Sequence, residues 1–294
     1  LGEWRDWLLD HSDQLHTLVQ LEGGKSWGDT ASEMLLGTQI VNYWIDNAAE
    51  FLADQSVRPS GAANAAKKLT VVYEPYQLVG VITPWNSPLA GPLLDIPAAL
   101  MAGCAVLSKP SEYAPLAWQA AADGWKEIGA PAVLDVVNGF GEAGAALVDV
   151  VDYVMFTGSV NTARRIATAA AQRLIPYSLE LGGKDAMIVC ADADIDRAAD
   201  GAVWGGFALT GQGLHIGRAR VCRGARLRRV RREGGSQDLG AASRYGRQAR
   251  LFLRCRIDGD GATARHRVAP CRGRGEQGRQ GAHRREGTRQ GPVL

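Results

Sequence analysis

Six short stretches of this chain place potentially reactive side chains where apolar runs give way to polar residues. The run at 78–83 opens into Pro84-Trp85-Asn86-Ser87-Pro88, where two prolines fix a loop and Asn86 offers an amide donor beside an aromatic face. The run at 104–108 ends in Lys109-Pro110-Ser111-Glu112, a cation and a carboxylate three apart that could donate to and accept from ribose hydroxyls. At 153–156 the run ends in Thr157-Gly158-Ser159 before a helical pattern, where free N–H groups and a hydroxyl suit a phosphate. Gly139 and Gly141 form another tight turn after a strand. Leu179-Glu180-Leu181-Gly182-Gly183-Lys184 sets a carboxylate and two glycines at the close of a β-rich run, and Gly211-Gln212 follows later. Each stretch also has a plain structural reading. Asn86 could simply form a turn, Lys109 and Glu112 a solvated pair, Ser159 a helix N-cap, and Glu180 a partner for Lys184. Recurrence at successive strand ends favours a ligand site.

The elements that must position these residues alternate. Strand-like runs at 78–83, 104–108, 133–137, 153–156 and 186–189 interleave with helical patterns near 89–101, 114–128, 143–148, 162–172 and 195–207. Continuous apolar strands separated by helices predict a parallel sheet covered on both faces, an α/β doubly wound fold. Ligands in such a fold sit at the carboxyl ends of the strands. Upstream, an amphipathic helix through 4–20 ends at Gly23-Gly24, a second spans 31–52, a turn-rich segment covers 56–68 and a short strand covers 69–73. The first residue is Leu1 and a helical pattern is already running at Trp4, so the natural start is expected upstream.

Averages conceal a division. The chain has 294 residues, 46% of them hydrophobic, and a net charge of +2. Residues 1–212 hold 12 Lys+Arg against 25 Asp+Glu, a net −13, whereas residues 213–294 hold 21 Arg, no Lys and 6 acids, a net +15. All 8 Trp, all 4 Met and every Lys fall in the first part. The tail is expected to be irregular. Cys104 and Cys190 lie in apolar runs and are expected to be buried thiols. No C-x-x-C pair occurs, so no metal site is expected. With no apolar run of membrane-spanning length and no signal peptide opening the chain, a soluble, cytoplasmic protein is expected.

The combination I-T-P-W-N-S-P, K-P-S-E, F-T-G-S and L-E-L-G-G-K, in this order and spacing, resembles the aldehyde dehydrogenase superfamily over residues 1–212. Val160 and Ala163 depart from that family's usual Thr and Gly after F-T-G-S. The resemblance implies a Rossmann-type NAD(P)-binding domain over 1–182 with a bridging or oligomerisation segment near 56–74, and the beginning of a catalytic domain over 183–212. It implies that Lys109 and Glu112 hold the adenosine ribose and that Gly158 and Ser159 meet the pyrophosphate. Ile82, Trp85 and Gly141 line the groove under the same resemblance. Asn86 would stabilise an oxyanion and Glu180 would activate a water. Glu112 would favour NAD over NADP, because a 2′-phosphate would meet its charge.

The partners implied are a small-molecule aldehyde and, the family being usually homo-oligomeric, further copies of the chain, with the dimer elements incomplete here. A membrane is not expected. The family's nucleophile is a cysteine two residues after the Gln of G-Q-x-C, and here that position is Leu214. A single-base shift of reading frame near residue 213 is one reading of both Leu214 and the Arg-rich tail. A genuine nucleic-acid-binding tail is the less favoured alternative, since only Tyr245 and Phe252 are aromatic there.

Overall fold

The computed structural model describes residues 1–183, 185–190 and 192–213 and the backbone of 219–222, all within one compact unit. The Leu214 position, Lys184 and the tail lie outside the described residues, apart from that backbone. Three helices open the chain: α1 (Gly2–Asp10), α2 (Ser12–Gly23) and α3 (Trp27–Phe51). The single amphipathic helix expected over 4–20 is therefore two, broken at His11. Gly24 ends α2 in the left-handed conformation, φ 63°. Ser26 caps α3 by accepting from the Asp29 N–H.

A two-stranded antiparallel hairpin follows, β1 (Gln55–Val57) with β2 (Leu69–Val71), and the sequence pattern had marked only its second strand. The alternation then runs β3 (Leu78–Ile82), α4 (Ala90–Met101), β4 (Ala105–Lys109), α5 (Leu116–Glu127), β5 (Leu134–Val136), α6 (Gly141–Val150), β6 (Tyr153–Gly158), α7 (Val160–Arg173) and β7 (Tyr177–Leu181). These five strands pair in parallel in the order β5-β4-β3-β6-β7. That is the Rossmann-type, doubly wound sheet the sequence predicts.

Side-chain alternation splits the core between two faces. Val79 and Val81 of β3 join Leu93 and Ile96 of α4, Trp118 and Trp125 of α5, and Trp4, Leu8, Leu15 and Val19 of α1 and α2. Ile82, Val154 and Phe156 pack the other way, against Leu147 and Val148 of α6 and Ile166 of α7. Between them Gly80 has no side chain, and a Cβ there would collide with Leu147. That glycine lets α6 lie close on the sheet.

The run at 186–189 does not join this sheet. It forms β8 (Ala186–Val189), which pairs in parallel with β9 (Ala219–Cys222) in a separate two-stranded sheet and is followed by α8 (Ile195–Phe207). Its apolar composition marks a strand but carries no information about which strand it pairs with. Cys104 is buried as expected, whereas Cys190, just past the end of β8, is exposed. No helix among the described residues is long and apolar enough to cross a membrane.

Candidate functional site

The strand order reverses between β3 and β6, and a cleft of about 1020 Å³ opens at the carboxyl ends of the strands there. Its lining brings together every site residue marked in the sequence: Ile82, Trp85, Asn86, Lys109, Glu112, Gly141, Gly158, Ser159 and Glu180. Gln212 and Gly213 close one side.

The plain readings fare differently one by one. Lys109 is not a solvated partner: it is 4% exposed, and its Nζ donates to Pro110 O at 3.0 Å with Glu112 Oε2 at 3.6 Å. Ser159 is an N-cap, its Oγ accepting from Thr162 N at 3.2 Å and contacting Thr162 Oγ1 at 2.9 Å. The hydroxyl thus serves the cap, and the first-turn N–H groups of Val160 and Asn161 are further donors for an anion. Asn86 exceeds a turn former, because its Nδ2 donates to Gln212 O at 2.8 Å. That bond joins two stretches the sequence marked separately. Glu180 lies exposed on β7, opposite Thr157 in the ladder.

Four contributors were invisible in the sequence. Arg165 of α7 lines the cleft and has no ion pair among the described residues. Lys25 and Glu33 form a buried ion pair behind the Asn86 loop. Asp95 of α4 is the fourth; it does not line the cleft but stands near enough to feel the Glu180 charge, and a helical pattern gave no reason to single it out. Burial first, and the nearby Glu180 charge second, push the Asp95 carboxyl up to about 6.

That shift has a signed consequence. Between pH 4 and 6 the folded chain holds a proton at Asp95 that the unfolded chain has lost, so this carboxyl's contribution to stability falls as pH rises through the window. Asp95→Asn is expected to match the parent near pH 3.5 and to exceed it at pH 8 by about 2–3 kcal/mol. Urea midpoints at the two pH values check this, and equal gains at both would refute it.

A Rossmann-type α/β unit with a cleft at its switch point, largely apolar in lining with a few convergent polar groups, is the class that fold and site define. The aldehyde dehydrogenase family model matches residues 1–219, and the chain belongs to that family. Among its relatives, the peroxisomal aminoaldehyde dehydrogenase 1 of Malus domestica is 45% identical over 207 residues, 69% of this chain and 41% of the relative. The chain thus spans about two-fifths of the length of the curated relatives it matches. An NAD-dependent aldehyde dehydrogenase from Sinorhizobium meliloti superposes with a TM-score of 0.75 at 31% identity, covering 81% of this chain and 47% of that one. An NADP-dependent enzyme of E. coli gives a TM-score of 0.76 at 28% identity, covering 81% and 50%. The expected cytoplasmic location does not stand, since the similar aminoaldehyde dehydrogenases are peroxisomal. Composition and the lack of a long apolar run carry no compartment signal.

Proposed function

We propose that the protein to which this sequence belongs oxidises an aldehyde to a carboxylate with NAD(P)+ through a cysteine thioester. The chain as written would bind the dinucleotide and lack turnover. The observation carrying this is the convergence of the marked residues on one cleft at the sheet's switch point. The donor set suits the cofactor. Lys109 holds one short hydrogen bond, to Pro110 O, which leaves ammonium protons for ribose hydroxyls, with the Glu112 carboxylate beside them as acceptor. Gly158 and Ser159 open α7 toward a pyrophosphate. Ile82, Trp85 and Gly141 line the groove between.

When bound, the dinucleotide supplies the two-electron acceptor. The protein's own part is to place charges and move protons. Asn86 donates to the oxyanion that forms when a thiolate adds to the aldehyde, a contact of about 3 kcal/mol in comparable sites. Glu180 takes the proton of the water that hydrolyses the thioester. The thiol itself is missing, because Leu214 stands at its position.

A reading-frame shift by one base at codon 213 accounts for Leu214 and for the abrupt change of composition. Back-translation of Gly213-Leu214-His215-Ile216-Gly217-Arg218-Ala219, read from the second base, permits V-C-T-S-V-E-R, with cysteine at the required codon. A cofactor-binding pseudoenzyme would bind nucleotide equally, and restoring the frame separates the two.

Residues 1–182 are assigned to the cofactor domain and 183–212 to the start of a catalytic one, supported by β8 leaving the five-stranded sheet. The segment near 56–74 is assigned to bridging or oligomerisation, supported by exposed Val57, Leu69 and Val71 on the hairpin.

Isothermal titration with NAD+ tests the cofactor reading. Saturable binding is expected, with NADP+ weaker because of Glu112. Lys109→Ala should weaken NAD+ by about tenfold, the loss of a charge-assisted hydrogen bond. No saturable binding by the parent chain sinks the reading.

A further inference from the structure

The corner between α2 and α3 is remote in sequence from every strand end, yet it touches both sides of the Asn86–Gln212 bond. Lys25 and Glu33 have fully or nearly buried side chains, 0% and 4% exposed, and pair with each other. Lys25 Nζ also donates to the main-chain oxygen of Asn86. The second oxygen of Glu33 accepts from Leu89 N at 3.3 Å and Ala90 N at 3.2 Å, the amides that open α4. One ion pair therefore pins the loop at Asn86 and again three residues later.

The same corner holds the other partner. Gly23 O accepts from Gln212 Nε2 at 2.8 Å, and Asp29 Oδ1 accepts from Leu209 N at 3.1 Å. Between those anchors the backbone adopts a left-handed hook, with φ of 53° at Leu209, 59° at Thr210 and 74° at Gly211. Two non-glycine residues in succession, one of them β-branched, do not choose that conformation by themselves. External anchors must over-determine it.

We infer that Lys25 and Glu33 are positioning residues for the Asn86 carboxamide, and that the α2–α3 corner is the jig on which the Asn86 loop and the Gln212 hook are brought together. A buried ion pair is a poor source of stability, since apolar residues of similar volume often replace one without loss. What this pair supplies is direction: a donor for one carbonyl and an acceptor for two amides, fixed by charge. The inference rests on the reading of Asn86 as the oxyanion donor, but its test does not require turnover.

The test uses the full 294-residue chain, labelled with 15N, with the Asn86 side-chain NH2 signals assigned by their absence from Asn86→Asp. Lys25→Met/Glu33→Leu removes both charges together, so neither is left buried alone. The far-UV spectrum should be retained, the Asn86 carboxamide signals should shift, and amides 209–213 should exchange about tenfold faster. Lys25→Met/Glu33→Gln, a smaller change at Glu33, should give the same two readouts. A folded variant with unshifted carboxamide signals and unaltered exchange at 209–213 overturns the inference. Failure of both pairs to fold overturns it too, since the ion pair would then hold the fold rather than the carboxamide. A parent chain that binds no NAD+ ends the cofactor reading and leaves these readouts standing.

Discussion

Under the proposed function, a gene corrected by one base at codon 213, so that cysteine occupies position 214, is expected to yield a chain that reduces NAD+ with an aldehyde, and the 294-residue chain is expected to yield no NADH. Two facts set the size of that difference. Attack on the carbonyl needs a thiolate, and no side-chain chemistry available to Leu214 substitutes for it. Removing the nucleophile of a hydrolase that works through an acyl intermediate costs about 10^6-fold in turnover. In the proposed mechanism Asn86, Glu180 and the cleft would have nothing to act upon without the thioester. Through Glu233 the shifted frame also permits V-Y-V-E-A-P-V-Y-D-E-F-V-A-K after the first seven residues, a strand-turn-helix pattern of ordinary composition. NADH absorbance with a panel of aldehydes measures both chains. NADH formation by the uncorrected chain refutes the assignment of the nucleophile, and an unaltered frame confirmed by resequencing refutes the shift.

The second large effect concerns stability. Trp4→Ala is expected to cost about 3–5 kcal/mol, a large share of what holds a domain of this size together. The indole is completely buried, stands edge-on to Trp118 at 6.1 Å and to Trp125 at 5.5 Å, and donates through Nε1 to Ala121 O at 2.8 Å. Truncation opens a ring-sized cavity and leaves a helix carbonyl without its side-chain donor. Trp4→Phe keeps most of the volume and loses the hydrogen bond, so a cost of about 1–2 kcal/mol is expected. Urea unfolding followed by far-UV circular dichroism ranks the three chains. Equal midpoints for Trp4→Ala and the parent would mean that α1 is not part of the sheet's core.

How much of this was legible beforehand depends on whether the signal is local. Apolar runs and helical spacing are local, and they marked four of the five strands of the main sheet and the helices that cover it. Strand pairing is not local, so β8 looked like one more strand of that sheet although it belongs elsewhere. β7 was noted only as the β-rich run that the Glu180 motif closes, because its residues are at most partly buried and give no continuous apolar run. The cleft was legible because motifs at strand ends are contiguous: K-P-S-E and F-T-G-S each present their polar atoms from one turn. Lys25 and Glu33 carry no such signal. Nothing in a lysine before a helix cap says that its ammonium will reach a carbonyl sixty-one residues away. The break at His11 escaped notice because apolar spacing continues across it.

The bond from Asn86 to the Gln212 carbonyl has one more consequence. A carboxamide has two N–H hydrogens, and this bond uses one of them. The other is left for the cleft that Asn86 lines. Its aim is set when the chain folds, so under the proposed oxyanion role no rotamer search would intervene when a substrate arrives. Holding the group still costs entropy once, during folding, and every later encounter meets a donor already in position. A short main-chain contact made far from either terminus thus turns a freely rotating surface amide into a fixed instrument.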